Sequence, residues 1–281
     1  MDFLEDNPQP LPKIYDEFKE EKPTTIRGRL NENIGKCFKR IKKGVYLAVK
    51  GDARAIIIEG DAWEELKEIE SSSIDTIITD SPYTCLNVYY HGTTRQRNRD
   101  GNIGFPTKDM DLPLMKEFNR VLKPGGHFFS FMPAFAESTL ENNEVAISNA
   151  LQSGFTFRKL WVWDRRYFAM GYCGRNQHEL IAFYTKGEKR KPCDLSIADV
   201  LTHTRIAASK RIHDAEKPVE LIKDLMKFSN VPGDVVLDPF GGSLTTAQAG
   251  LELGVNTISI EIDGDMIRKS VEARGLNVEV L

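Results

Sequence analysis

Residues 235–261 read VVLDPFGGSLTTAQAGLELGVNTISIE, which predicts an apolar strand, a glycine turn, a helix and a second strand. The first strand ends in Asp238 and the second ends in Glu261. Glycines let the backbone approach a ligand closely, and an acid at the second strand end is placed to accept hydrogen bonds from ribose hydroxyls. The stretch contains no GxGxxG and no lysine after the glycines, which excludes the dinucleotide fingerprint and the phosphate-binding P-loop.

The charge of Asp238 narrows the choice of ligand. A carboxylate directly before the glycine turn would repel a pyrophosphate and would attract a cation. A positively charged cofactor with an adenosyl group is S-adenosylmethionine, which the pattern therefore predicts. The alternative is a glycine-rich turn that binds no ligand, and the pair of acids at Asp238 and Glu261 argues against it.

The same alternation of strand and helix runs through the chain from residue 55. The segment 55–59 (AIIIE) is a short apolar run typical of a strand buried on both faces, and 74–79 (IDTIIT) is predicted as a second strand. Residues 156–163 and 179–185 are predicted as two further strands around an irregular loop. Strands alternating with helices predict an α/β fold with a mostly parallel sheet. Ligands of such sheets lie beyond the carboxyl ends of the strands, where the sequence places Asp61, Asp80, Asp238 and Glu261.

Asp80, Ser81, Pro82 and Tyr83 follow the strand at 74–79 and form a candidate catalytic loop. An exocyclic amine on adenine or cytosine is a weak nucleophile, because its lone pair is delocalised into the ring. A carboxylate from Asp80 and the backbone carbonyl of Ser81 could each accept one N–H and draw the nitrogen toward a tetrahedral shape. Pro82 stiffens the loop, and Tyr83 offers a ring on which the base can stack. Taken alone, these four residues also fit a plain turn.

The segment 238–246 resembles the cofactor motif of DNA amino-methyltransferases, and Asp80-Ser81-Pro82-Tyr83 resembles their catalytic tetrad. Because the tetrad comes first, the chain resembles the β-type group, whose motif order is circularly permuted. Further matches lie at Gly60-Asp61, 120–126, 176–179 and 216–218, so the resemblance covers about 55–275. The cofactor-binding residues that the resemblance implies are Asp61, Lys217, Asp238, Pro239, Phe240, Gly241, Gly242, Ser243, Thr245 and Glu261.

The resemblance also implies a fold and an activity. The fold is a Rossmann-like methyltransferase fold: a mostly parallel twisted sheet with helices on both faces and an antiparallel edge hairpin. The activity is S-adenosylmethionine-dependent methylation of DNA. Two positions depart from the family pattern. Ser81 replaces the usual first proline of the tetrad, and Leu244 stands where a third glycine is usual. Leu244 either crowds the cofactor turn or packs under the following helix.

Contacts with double-stranded DNA are predicted from charge and from aromatic residues. The target amine lies inside a duplex, so the base has to leave the stack. The family resemblance implies that the segment 168–172 packs on the flipped base, which makes Phe168 and Tyr172 candidates for the second face of its pocket. Loop 84–108 and segment 158–191 flank the predicted pocket and together carry thirteen bases against four acids. This clustering favours phosphate contact. The candidate residues for the DNA backbone are Arg95, Arg97, Arg99, Arg165, Arg166 and Arg175.

The domain prediction separates residues 1–54, a partly basic N-terminal extension, from a catalytic domain at 55–281. A short target-recognition segment is expected near 187–212. The basic stretch 27–50 is either a solvated face or a second phosphate contact. Because the recognition segment is so short, a second subunit could complete it, which leaves a homodimer open. The family resemblance also leaves a cognate restriction endonuclease open as a partner.

Composition sets the remaining bounds. The 281 residues are 41% hydrophobic and 28% charged, which is ordinary for a globular protein. No apolar run approaches the roughly 20 residues of a membrane span. Four cysteines are too sparse for a disulfide scaffold, so a reducing, cytoplasmic setting is expected, without a metal site. Cys85 is interpreted as incidental, because cytosine-C5 chemistry usually places a proline directly before its cysteine.

The sequence therefore predicts a DNA methyltransferase that acts on an exocyclic amine. The leading Asp80 favours adenine-N6, since serine-led tetrads more often accompany cytosine-N4 in this family. Methylation of cytosine-N4 is the alternative. A non-catalytic DNA-binding protein of the same fold is a more distant one, against which the intact acids argue. Methylation of a glutamine amide in a protein is a third, but asparagine usually leads that tetrad and the basic loops would be unexplained.

Overall fold

The computed structural model describes the backbone of three strands within residues 9–48, and then most of the chain from residue 53. From residue 53 onward the described residues are 53–82, 110–137, 139–169, 173–213 and 215–281. Before residue 53, residues 12, 14, 15 and 22 are described in addition to the three strands. The early strands β1 (Gln9–Pro10), β2 (Phe38–Lys42) and β3 (Val45–Ala48) form an antiparallel sheet in the order β1-β3-β2. The assignment of residues 1–54 as an extension stays a prediction.

Nine strands form the main sheet in the order β12-β4-β11-β10-β5-β6-β8-β7-β9. Neighbouring strands run parallel, except that β8 is antiparallel to both β6 and β7. The predicted α/β fold with a mostly parallel sheet is thereby confirmed. The strands are β4 (Ala55–Glu59), β5 (Ile74–Thr79), β6 (Leu122–Met132), β7 (Phe155–Asp164), β8 (His178–Lys186), β9 (Val200–Thr202), β10 (Val235–Asp238), β11 (Asn256–Glu261) and β12 (Glu279–Val280).

Six helices have described bounds, and three of them begin at an aspartate. The carboxylates of Asp61, Asp111 and Asp263 each accept a hydrogen bond from a backbone N–H of the first helical turn. Such a cap satisfies a donor that the helix itself leaves free. The helices are α1 (Ala62–Glu68), α2 (Leu112–Val121), α3 (Leu140–Gln152), α4 (Val219–Ser229), α5 (Thr245–Leu253) and α6 (Gly264–Arg274).

Alternate residues of the central strands bury against opposite layers of helices. Phe128 packs with α1–α3, whereas its neighbour Phe129 packs with α4 and α5. Ile77 and Ile78 of β5 divide between the same two clusters. Since successive strand side chains point to opposite faces, these continuous apolar runs require helices on both sides. The sheet is therefore buried, and its strand ends become the accessible edge.

Two short strands were absent from the sequence prediction. β9 lies within the aperiodic segment 187–212 and pairs parallel to β7, so it lies outside the predicted β7–β8 hairpin at that edge. β12 pairs parallel to β4 at the opposite edge. Two or three residues are too few to show a strand period. Among the described residues, no helix has the length and apolar character needed to cross a membrane.

Candidate active site

A cleft opens where the neighbouring strands β5 and β10 end. Asp80 directly follows β5, and Asp238 is the last residue of β10. His213 and residues 215–217 close one side, and the glycine turn before α5 closes another. The residues lining the cleft are Ile78, Thr79, Asp80, Phe131, His213, Ala215, Glu216, Lys217, Ile222, Asp238, Phe240, Gly241, Gly242, Ser243, Thr245 and Thr246.

Asp238 is a buried carboxylate with neutral partners. The Thr246 hydroxyl donates to Oδ2 at 2.6 Å, and the Phe240 N–H donates to Oδ1 at 3.2 Å. Burial raises the pKa of Asp238 to about 7, although these two hydrogen bonds oppose the shift. A carboxylate deprived of water gains strongly from a nearby positive charge. Asp238 is thus suited to a cationic ligand.

Glu261 ends β11 and holds the cofactor turn. Its carboxylate accepts hydrogen bonds from the N–H groups of Gly242 at 2.7 Å and of Asp263 at 2.9 Å. Its carbonyl accepts from the Gly60 N–H at 2.9 Å, which brings the Gly60–Asp61 turn alongside. Asp61 itself is exposed and accepts from the Trp63 N–H at 3.0 Å. The structure therefore places Asp61 as a helix cap beside this edge of the site.

The backbone of the turn before α5 requires glycine at positions 241 and 242, and it also contains Leu244. A Cβ on Gly241 would lie 3.0 Å from Cβ of Ser259, and Gly242 has φ of 48°. Leu244 also has a positive φ, 56°, a region that favours glycine and so accounts for the family preference. Its side chain is fully buried and packs with Ala247 and Ile267. Leu244 thus packs under helix α5.

A chain of opposite charges surrounds Asp80. The ammonium of Lys217 contacts Asp80 Oδ2 and lies 3.3 Å from Glu179 Oε2. On the far side, Arg165 Nη1 lies 3.2 Å from Glu179 Oε1. The sequence prediction grouped Lys217 with the cofactor, whereas the structure places its ammonium between two carboxylates. The ring of Phe131 lies 5.1 Å below that ammonium.

The electrostatics of this chain fix the charge of Lys217. Burial alone would lower the pKa of Lys217, but the carboxylates of Asp80 and Glu179 outweigh burial and raise it. Lys217 therefore stays protonated. Burial also raises the pKa of Asp80 above its usual range, although the Lys217 ammonium opposes that shift. Asp80 is consequently a carboxylate whose charge depends on its neighbour.

Two site residues were given no part in the chemistry by the sequence reasoning. Glu179 lies in the 176–179 match but was assigned no role there, yet it shares Lys217 with Asp80. Its membership of the 176–179 match was the available signal. Arg274 reaches the cleft wall from the last turn of α6, where it contacts Glu216 and Thr245. Nothing in the helical pattern around Arg274 distinguishes it from a surface residue.

Four of the predicted base-pocket and DNA residues, Arg165, Arg166, Phe168 and Arg175, lie between β7 and β8. Phe168 and Arg166 are each 64% exposed. Arg175 is exposed, and its Nε donates to the carbonyl of Ala169 at 3.4 Å. Arg165, in contrast, is 14% exposed and faces Glu179. Five predicted residues lie outside the described part of the chain, namely Tyr83, Arg95, Arg97, Arg99 and Tyr172.

The described residues fit an adenosyl cofactor that carries positive charge. Among those residues, the hydrogen-bond partners of Asp238 are neutral, which leaves its charge available to a cation. The Gly241–Gly242 turn lines the same cleft, and its conformation is one that side chains disfavour. Over the part of the chain that the structure describes, no cluster of His, Cys, Asp and Glu could hold a metal ion.

Known proteins that resemble this chain include DNA methyltransferases. YhdJ of Escherichia coli, a DNA adenine methyltransferase, is 27% identical over 259 residues, covering 78% of this chain and 82% of that protein. The type II methyltransferase M.BamHI of Bacillus amyloliquefaciens is 26% identical over 241 residues, covering 73% of this chain. That match spans 54% of M.BamHI, so this chain corresponds to about half of the longer protein.

Solved structures bear on the fold. The PvuII DNA methyltransferase, which is cytosine-N4-specific, superposes with a TM-score of 0.63 at 18% identity, covering 85% of this chain and 90% of that one. The M1.HpyAVI–SAM complex superposes with a TM-score of 0.59, also at 18% identity, covering 79% and 100%. The model of the N6/N4 methyltransferase family, described as DNA methylase, matches residues 74–272. Because this match spans most of the chain, the protein belongs to the DNA methylase family.

Proposed function

We propose that this protein transfers a methyl group from S-adenosylmethionine to an exocyclic amine in double-stranded DNA, with adenine-N6 as the favoured target. One observation carries the proposal: Asp80 and Asp238 line one cleft at the ends of neighbouring strands. One carboxylate is placed for the base and the other for a cationic cofactor. Asp238, the Gly241–Gly242 turn and Glu261 would hold the cofactor.

The chemistry follows from the residues around Asp80. The cofactor supplies a methyl group, whose bond to the positively charged sulfur breaks with the electron pair remaining on sulfur. Asp80 accepts one N–H of the target amine and the Ser81 carbonyl accepts the other, which frees the nitrogen lone pair for attack. Because burial raises the pKa of Asp80, this carboxylate is also placed to take the proton that the nitrogen must lose. Orientation supplies much of the rate.

Lys217 balances the charge of Asp80 before the base arrives. Its ammonium contacts the carboxylate that the amine has to reach. Glu179, 3.3 Å from the same ammonium, offers a second anionic partner. As the amine binds, Lys217 can shift toward Glu179 without losing its counterion. Arg165 in turn neutralises Glu179 from the protein side.

The DNA would lie across the exposed loop between β7 and β8. Phe168 is largely exposed, as expected of a ring that meets an extruded base rather than the core. Arg166 and Arg175 are exposed and could reach phosphates, although Arg166 Nε lies 3.6 Å from Asp164 Oδ2. Arg165, in contrast, is 14% exposed and pairs with Glu179. On the sequence prediction, loop 84–108 adds further phosphate contacts. The homodimer and the cognate restriction endonuclease stay predictions, and light scattering during size-exclusion chromatography tests the first.

Cytosine-N4 is the second candidate target. A cytosine-N4-specific enzyme is among the similar structures, and the amines of adenine and cytosine present the same two N–H donors to Asp80 and Ser81. The aspartate that leads the tetrad favours adenine.

Mass spectrometry tests the proposal. Duplex DNA is incubated with the protein and methyl-labelled S-adenosylmethionine, then digested to nucleosides, with Asp80→Asn as the control. Label on N6-methyldeoxyadenosine is the expected result, and label on N4-methyldeoxycytidine identifies the second candidate. Label in a protein glutamine, or none in DNA of varied sequence, would contradict DNA methylation.

A further inference from the structure

A buried ion pair joins residues 241–245, called here the cofactor turn, to the segment that carries Lys217. Arg274 is 7% exposed and contacts Glu216, which is 5% exposed. The same guanidinium donates to the carbonyl of Ser243 and, at 3.0 Å, to Oγ1 of Thr245. A helix-terminal arginine is thus withdrawn from solvent and committed to the wall of the cleft. The other terminal nitrogen of the guanidinium, Nη1, donates a hydrogen bond to Oε1 of Gln248 in α5.

Glu216 transmits this contact to the catalytic side. Its second oxygen, Oε2, accepts hydrogen bonds from the backbone N–H groups of Ile212 at 2.6 Å and His213 at 3.4 Å. These bonds hold the backbone of Ile212 and His213 against the Glu216 side chain. The next residue, Lys217, contacts Asp80. One short segment therefore has Arg274 on one side and the catalytic carboxylate on the other.

Stability alone is a weak reason for such a pair. Desolvation of two charges cancels much of their attraction, and apolar replacements of a buried pair are often neutral or stabilising. Fixing one arrangement of a segment is the better-attested role of a buried polar group. Here the segment that is fixed carries the counterion of Asp80.

We infer that Arg274 is a positioning residue, which acts through Glu216 to hold Lys217 against Asp80 and ties that placement to the cofactor turn at Ser243–Thr245. The inference rests on the proposed function for its catalytic meaning. The placement of Lys217 itself does not depend on activity and can be measured separately. In this inference Arg274 acts on the reaction through Glu216 and Lys217, and it is assigned no contact with the amine or the methyl group.

The first measurement needs no turnover. In protein made with isotope-labelled lysine, an ion-paired and buried ammonium gives a slowly exchanging Nζ signal, and the signal that Lys217→Met removes is assigned to Lys217. Arg274→Met should remove or broaden the same signal. Arg268→Met is the matched control, because Arg268 lies on the same helix but is 72% exposed and pairs with Asp265, three residues away. That control should leave the signal intact.

The second measurement is the single-turnover methylation rate as a function of pH. The charged groups facing Asp80 are Lys217, Glu179, His213 and Asp238, so all profiles are recorded in a His213→Gln background. Loss of a nearby cation raises the pKa of Asp80, so the acid limb of the pH–rate profile should move to higher pH by about one unit or more. Lys217→Met and Arg274→Met should each show this shift, and the double variant should show no more than either alone.

Two further variants guard against misfolding. Glu216→Gln with Arg274→Met replaces the pair without leaving a buried charge, so its thermal midpoint should recover while the Lys217 signal and the acid limb stay altered. Arg274→Lys keeps the charge but lacks the planar guanidinium with its several N–H donors, so it should restore the Lys217 signal and the acid limb only partly. An intact Lys217 signal and an unmoved acid limb in a destabilised Arg274→Met protein would overturn the inference. If the wild type methylated no DNA, the proposed function would fail while the Lys217 signal would still decide the placement.

Discussion

Strand β5 has an aspartate near each end, and the two carboxylates are surrounded differently. Asp75, near the start, accepts from the Val235 N–H at 3.0 Å, and its other oxygen lies 2.6 Å from Lys123 Nζ. Asp80, just past the end, meets the side chain of Lys217 in a cleft. Both carboxylates contact a lysine side chain, which can move, but Asp75 also accepts from a backbone N–H, which cannot leave. The comparison teaches that a carboxylate held by a fixed backbone donor is structural, whereas one that faces a movable side chain in a cleft can be functional.

Replacing Asp80 should give the largest effect. Asp80→Ala should cut the single-turnover methylation rate by about two to four orders of magnitude, the usual scale for a positioned proton-handling group. Cofactor affinity should change little, because Asp80 faces the base. Quenched-flow methylation and calorimetric titration measure the two quantities. A rate close to wild type would show that Asp80 does not activate the amine.

Asp75→Ala is the matched variant on the same strand. It leaves the buried N–H of Val235 without its acceptor and Lys123 without its counterion. The expected loss is about 1–3 kcal/mol of unfolding free energy, measured by denaturant titration. The methylation rate per folded molecule should stay at the wild-type value. A rate loss as large as that of Asp80→Ala would remove the distinction between the two carboxylates.

The sequence predicted the parts of this site that have a local signature. The strands β4, β5, β10 and β11 are rich in Ile, Val and Leu and alternate with helices, and the sequence shows an acid at or just after the end of each. The Asp80–Lys217 contact joins residues far apart in the chain, and no local pattern encodes such a distance. Glu179 was missed for the same reason, since its role appears only when β8 is laid against the Lys217 loop.

Leu244 shows where local reasoning could pose a question without answering it. The sequence left two alternatives, a crowded cofactor turn or a side chain under α5. Packing against Ala247 and Ile267 decides for the second. A positive φ in a leucine is set by this tertiary packing, which outweighs the backbone preference. The small strands β9 and β12 were likewise missed, because their pairing partners rather than their own residues define them.

Glu261 extends the comparison to the cofactor side. A hydrogen bond to a charged group is worth about 1.5–3 kcal/mol, so Glu261→Ala should weaken S-adenosylmethionine binding roughly ten- to a hundredfold. Asp263→Ala is the control, because Asp263 caps α6 and accepts from Asp265 and Met266. It should lower stability by about 1 kcal/mol without changing affinity. Calorimetric titration that finds Glu261→Ala equal to wild type would take Glu261 out of the cofactor site.

The pKa of Asp238, raised to about 7 by burial, makes cofactor binding depend on pH. The ionised carboxylate attracts the cationic cofactor, so affinity should be about tenfold weaker at about pH 6 than at about pH 8. The stability of the ligand-free protein should move the opposite way. The stabilisation of the folded state by Asp238 is fully present below the ordinary carboxyl pKa and is lost as the pH rises to about 7. Asp238→Asn should flatten both profiles, and an unchanged slope in that variant would assign the dependence to another group.

The smallest expected effect is on DNA affinity, from the exposed Arg166 and Arg175. The neighbouring Arg165, which is 14% exposed and pairs with Glu179, is the comparison. Replacing Arg166 and Arg175 with alanine should make the log–log salt dependence of DNA affinity shallower by about 2 units, since each phosphate contact contributes about 0.9. The loss should be similar for most DNA sequences, because phosphate contacts position the protein without specifying a base. Arg165→Ala should leave the slope unchanged and lower the methylation rate, because Arg165 neutralises Glu179 beside Lys217. Fluorescence anisotropy over a salt series separates these cases, with Arg268→Ala as the exposed control on α6. A slope change confined to Arg165→Ala would reverse the assignment and place the DNA on the inner side of this loop.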